Sequence, residues 1–106
     1  MNWKINYTDD ARQDLQSIFE YISLILLEPC IASKQADRIM DAADSLVRMP
    51  LRYRLYDKEP WHSKGLRVLP VDNYLIFYLP DEMKNTVAII RIMYGGRNIE
   101  SQLSNN

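Results

Sequence analysis

Up to Pro50 the apolar residues of this chain recur at helical spacing, and from Gly65 onward they fall into short runs separated by turn residues. A period near 3.6 gives a helix one apolar stripe, whereas short alternating runs between tight turns suit strands. A helical half and a strand half can share a core in few ways. Ala11, Leu15, Ile18, Phe19, Ile22 and Leu26 trace one face of a first helix. Thr8 offers its N-cap, Asp9 and Asp10 place negative charge at its positive end, and Pro29 is expected to stop it. A second stripe, Ala32, Ala36, Ile39, Met40, Ala43, Leu46 and Val47, ends at Pro50. Trp3, Ile5 and Tyr7 alternate with polar neighbours ahead of the helices, the pattern of a half-buried strand.

Residues 51–64 read as a charged loop holding Pro60, Trp61 and His62. Strands are expected over 65–71, 74–79 and 86–93, with a tight turn at Asp72-Asn73 and a longer one over 80–85. None of these links can hold a helix, so the three strands should form an antiparallel meander. Gly95-Gly96 breaks the last strand, and residues 98–103 suit a short, frayed helix. The expectation is one α+β domain over 1–106. It has an N-terminal strand and a two-helix antiparallel hairpin packed on a three- to four-stranded antiparallel sheet.

A lone cysteine, Cys30, allows no internal disulfide and suits a reducing cytoplasm. The start of the chain lacks the apolar core of a signal peptide, and runs such as Leu24 to Leu27 are far too short to span a bilayer, so no membrane partner is expected. With a net charge of −1 there is no global basic field for nucleic acid. The charge is concentrated instead. Residues 48–67 carry Arg48, Arg52, Arg54, Lys58, Lys64 and Arg67 against only Asp57 and Glu59. Such a segment can meet an anionic partner, or it can be a solvated loop.

Four stretches resemble the RelE/ParE superfamily of toxins from type II toxin–antitoxin systems. They are Asp10 to Leu15 with Ile18 to Ile22, Leu46 to Pro50, Gly65 to Val68 with Asn73 to Tyr78, and Ile90 to Ile99. The resemblance implies a plasmid-stabilising or growth-inhibiting toxin, held in a hetero-oligomer by a cognate antitoxin that wraps over it, with no cofactor and no metal. It also implies one of two targets. RelE-like members cut messenger RNA on the ribosome, and ParE-like members bind DNA gyrase.

RNA cleavage through the 2′-hydroxyl needs a base, cations for the phosphorane charge and an acid for the leaving oxygen. The resemblance puts an arginine of RNA-cutting members at the position of Leu75, and a leucine cannot stabilise that charge. It puts a catalytic tyrosine of some members near Leu103. What remains for a nuclease is His62, Arg67, Tyr94 and Arg97. Partner binding would draw on Arg52, Arg54, Lys64, Arg67, Arg91 and Arg97. Ordinary structural roles are open beside these. Arg67 can pair with Asp72 or Glu59, Arg91 can lie on an exposed or edge face, Tyr74 and Tyr78 share a face suited to packing, and His62 can be a surface histidine. Cys30 has no partner at a motif spacing, and Gly95-Gly96 lacks the surroundings of a phosphate loop. The missing arginine favours gyrase binding without bond breaking. A ribosome-dependent endoribonuclease is the alternative, and a degenerate module that still binds an antitoxin is a third reading.

Overall fold

The computed structural model describes residues 3–96, 99 and 103. The chain runs β1 (Lys4–Tyr7), α1 (Asp9–Glu20), a π-helical turn (Tyr21–Ile25), α2 (Pro29–Asp44) and a 3₁₀ turn (Ser45–Val47). After the loop come α3 (Trp61–Lys64), β2 (Arg67–Val71), β3 (Tyr74–Asp81) and β4 (Thr86–Tyr94). The sheet order is β1-β4-β3-β2. The expected α+β fold is present, with the helical hairpin against a four-stranded sheet. The three later strands pair antiparallel as expected, but β1 joins β4 in parallel, which makes the sheet mixed. Parallel neighbours need a long connection, and the helices, loop and two strands between β1 and β4 supply it.

Thr8 does more than cap α1. Its hydroxyl accepts from the Ala11 amide at 3.1 Å and donates to the Ile89 and Ile90 carbonyls, 3.0 and 2.9 Å away. Those carbonyls lie at a bulge, because Phe77 opposes Arg91 while Tyr78 opposes Ile89, leaving Ile90 extra. Asp14 takes another group freed there, accepting from the Ile92 amide at 2.9 Å. Two side chains from the start of α1 therefore fix the helix to an irregularity in β4 and satisfy its backbone.

The sheet is covered on both faces. On the helix side Ile39, Ala43 and Leu46 pack against Ile76, Tyr78, Val87, Ile89 and Ile92. On the other side Leu66, Val68, Phe77 and Met93 lie under Tyr56 and Leu103, with Trp61 at the margin. The segment over 51–64 is thus not the loose loop its charge suggests. Tyr56 meets Phe77 edge to face at 5.6 Å, and its amide accepts a place in the backbone network by donating to the Leu66 carbonyl at 2.7 Å.

The first helix departs from its predicted stripe. Pro29 does not end it; α1 gives way to the π-helical turn, and Pro29 stands in the first turn of α2, where a missing amide costs nothing. The wider turn shifts the side chains out of α-helical phase. Of the stripe, Ala11 and Ile22 are buried, but Phe19 and Leu26 are exposed.

Candidate functional site

Cations and aromatics of the basic segment interleave. Arg52 lies over the Tyr53 ring and Lys64 over the Trp61 ring, each 4.8 Å from the centroid. Arg67 pairs with neither Asp72 nor Glu59. Its Nη1 donates to the Leu51 and Tyr53 carbonyls at 3.1 and 2.6 Å, and so ties the segment to the edge of β2. Tyr78 makes a second tie, its buried hydroxyl donating to the Pro50 carbonyl at 2.7 Å. Burial pushes that phenol up to about 12. Arg54 is exposed, and its carbonyl accepts from the Val68 amide at 3.1 Å.

His62 is exposed on α3, and its Nδ1 donates to the Tyr56 carbonyl at 2.8 Å. A carbonyl only accepts, so this bond puts the proton on Nδ1 and fixes the ring orientation. Glu59 closes the short helix by accepting from the Ser63 hydroxyl at 2.7 Å and the Ser63 amide at 2.9 Å. Those bonds hold the Glu59 carboxyl below its ordinary range.

Arg91 is neither at an exposed face nor at an edge. Its Nε and Nη2 grip Asp14 through both carboxylate oxygens, at 2.6 and 2.9 Å, with each side chain about 15% exposed (15% and 14%). Spacing alone could not reveal this pair, since 77 residues separate the partners. A second ionic tie, also unforeseen, joins α2 to the β2–β3 turn. Asp72 accepts from Arg38 at 2.8 Å through each oxygen and from Gln35 at 3.0 Å. The Arg38 bonds, followed by Gln35, depress the Asp72 carboxyl to about 2.

Tyr94 is half-exposed at the far end of β4 and meets Tyr74 edge to face at 5.9 Å. A Cβ at Gly96 would lie 2.8 Å from the Tyr94 ring, so a larger residue there would shift that half-exposed side chain. Arg67 is opposite Tyr78 and Tyr94 opposite Tyr74, on strands flanking β3. At ordinary strand rise and spacing this puts their backbones about 16 Å apart. His62 belongs to the short helix packed on the outer face, whereas Tyr94 stands beside Tyr74 on the helix side. Arg97 lies outside the described residues. Leu75 packs against the outer-face core. Arg52 thus lies over a ring of the helix-side core and Lys64 with His62 beside the outer-face core, while Tyr94 and Arg91 stand on β4 apart from the segment that carries them.

The surface that sequence reasoning missed is apolar. Tyr21, Leu24, Ile25, Leu26, Leu27 and Ile31 are all more than half exposed at the tip of the helical hairpin. The run Leu24 to Leu27 carried the available signal, since four consecutive apolar residues cannot all lie on one helical stripe. No described helix is long and apolar enough to cross a membrane.

Residues 5–99 match the family described as the ParE toxin of the type II toxin–antitoxin system parDE. A search of curated protein sequences gives no match. Among solved structures, the chromosomal ParDE system of P. aeruginosa superposes with a TM-score of 0.71 at 20% identity, covering 87% of this chain and 95% of that one. The RelBE2 toxin–antitoxin complex of Mycobacterium tuberculosis gives 0.63 at 24% identity, over 89% and 99%. A mutant of the E. coli toxin RelE in the free state gives 0.67 at 10% identity, over 96% and 93%. At these identities the structural likeness speaks for the fold, while the sequence match spans nearly the whole chain. The chain belongs to the ParE toxin family of type II toxin–antitoxin systems.

Proposed function

We propose that the chain is a single-domain cytoplasmic toxin that inhibits growth by binding DNA gyrase, breaking no bond itself, until a cognate antitoxin neutralises it. The observation that carries this reading is the dispersal of the nuclease candidates among the described residues. Arg67 is spent on two backbone carbonyls, and the backbones of Arg67 and Tyr94 lie about 16 Å apart along and across the sheet; the resemblance adds that Leu75 takes the place of an arginine of RNA-cutting members. Phosphoryl chemistry needs its donors within about 3 Å of one developing charge. Exposed Arg52 and Lys64 fit protein or anionic partners better, because each sits over an aromatic ring and loses little freedom on binding.

The antitoxin of this reading carries an acidic segment that meets Arg52, Arg54 and Lys64, forming a hetero-oligomer. Likeness to ParDE and RelBE complexes supports such a partner. Purified chain added to a gyrase supercoiling reaction should stop supercoiling at micromolar concentration, and unchanged supercoiling there would count against gyrase. One observation favours the ribosome-dependent nuclease as a second reading: His62 is exposed within the basic segment, with its ring oriented by the Tyr56 carbonyl. Codon-located cuts in a translating message, lost in His62→Ala, would move the assignment to it.

A further inference from the structure

An outermost strand leaves half of its backbone groups pointing away from the sheet, where another chain can pair with them. In β2, pairing with β3 turns Arg67, Leu69 and Val71 inward, so Leu66, Val68 and Pro70 present their backbone to the edge. The edge is a hazardous one. From Leu66 to Val71 all residues but Arg67 and Pro70 are buried, because both faces of the sheet are covered, and such apolar runs pair readily with one another. Yet from Leu66 to Pro70 every amide turned to the edge is accounted for. Leu66 donates to the Trp61 carbonyl and Val68 to the Arg54 carbonyl, both at 3.1 Å, and Pro70 has no amide to offer. The Leu66 carbonyl accepts from the Tyr56 amide at 2.7 Å. Residues 54–56 thus lie along β2 as a short antiparallel strap, with Leu55 opposite Arg67.

We infer that this strap, latched by Arg67, and Pro70 together seal the β2 edge against pairing with another chain. The inference rests on no part of the gyrase reading and holds whichever target the chain has. The strand holds its own cover in place. Arg67 sends two charge-assisted bonds to the Leu51 and Tyr53 carbonyls, immediately ahead of the strap. The strap covers the edge as far as Val68, and the exposed Pro70 removes the next donor two residues on. The opposite edge is protected by other means, since β1 has only four residues and exposes Lys4. Its Lys4 and Thr8 amides donate to the Asn85 and Ile89 carbonyls at 2.9 and 3.1 Å, so Ile5 and Tyr7 turn their amides away from β4.

Amide hydrogen exchange of the full chain, read against intrinsic rates, tests this first without mutation. The Val68 amide should exchange at least about 100-fold more slowly than the Ile5 amide. Similar rates would mean that the β2 edge is not sealed and would overturn the inference. Arg67→Met keeps the aliphatic stem and removes both latch bonds. Exchange at Val68 and Tyr56 should then rise about 10- to 100-fold while the β4 amides hold. No rise, or a rise only in step with β4, overturns the latch. In sedimentation velocity, Pro70→Val alone should behave as the wild type, because the strap remains closed. Combined with Arg67→Met it should associate at concentrations at least about tenfold below either single variant, since the two devices guard one edge. The amide introduced at position 70 should become protected in the associated species. A double variant no more prone to associate than Arg67→Met alone overturns the inference, as does association that leaves that amide unprotected. Circular dichroism melts establish that the variants fold, and the wild-type comparison decides the matter where one does not.

Discussion

The basic segment over 48–67 and the hairpin tip over 21–31 have exchanged the roles their compositions suggest. The segment with six cations closes a core: it seats Tyr56 and Leu66 over Phe77 and is tied down by Arg67 and Tyr78. The tip, uncharged from Tyr21 to Leu27, puts five of those seven residues in solvent. Composition reports what a segment can bury, and the backbone decides what it does bury. In the basic segment, long side chains carry their charges outward while carbonyls and rings face in. In the tip, a change of helical pitch aims the aliphatic groups outward. The charged region should therefore contribute to stability as well as to recognition, against a reading by hydropathy.

The strongest way to break that contrast is at the contact between the segment and the sheet. Phe77 is fully buried and carries the Tyr56 ring edge to face. Phe77→Ala should cost about 4 kcal/mol, through lost transfer energy and an unfilled cavity. Urea unfolding monitored by tryptophan fluorescence measures this, and Trp61 lies at the margin of the same core. A loss under about 1 kcal/mol would mean that the segment is a lid rather than a core layer.

Much of the fold could be read from the chain because its signals are local. Thr8 and the acids after it mark the start of α1, and turn residues at Asp72-Asn73 mark the meander. What escaped is non-local or depends on pitch. Nothing in the neighbourhood of Ile90 announces a bulge, since its freed carbonyl and the nearby Ile92 amide are met by Thr8 and Asp14 some eighty residues away. Arg91 consequently read as an exposed cation. Leu26 read as a core residue because the stripe was extended at 3.6 residues per turn through a stretch that is wound more loosely. Of the candidate site, the concentration of cations over residues 48–67 was legible from charge alone. The engagement of Arg67 with carbonyls was not, because a carbonyl acceptor leaves no mark on side-chain sequence.

A smaller effect, of opposite sign, is expected at the tip. Leu27 is 75% exposed at a φ of 58°, so its side chain contributes little to the core while its backbone is strained. Leu27→Gly should stabilise the monomer by about 0.5–1 kcal/mol, relief of left-handed strain exceeding the added entropy of the unfolded chain. Thermal melts should show a rise of a few degrees, about 4–8 °C per kcal/mol for a domain near this size. A fall in Tm would show that Leu27 packs in the folded monomer and that the tip is less separate from the core than its exposure indicates.

The mildest perturbation is acid, and it should separate the two regions without mutation. Bonds from the Ser63 hydroxyl and amide hold the Glu59 carboxyl below its unfolded value of 4.5. A depressed carboxylate contributes stability that is complete above the unfolded pKa and is lost as pH falls through the folded one. Lowering the pH from 6 to below 4.5 should therefore loosen α3 first, speeding hydrogen exchange at the Ser63 amide relative to the intrinsic rate at each pH. The tip segment from Tyr21 to Leu27 has no carboxylate and should show no such relative change. Glu59→Gln should bring the Ser63 amide to its acid level of protection already at neutral pH and remove the pH dependence. If the tip loosened together with α3 in the wild type, the two regions would be parts of one cooperative unit, and the contrast between a charged core layer and an exposed apolar tip would fail.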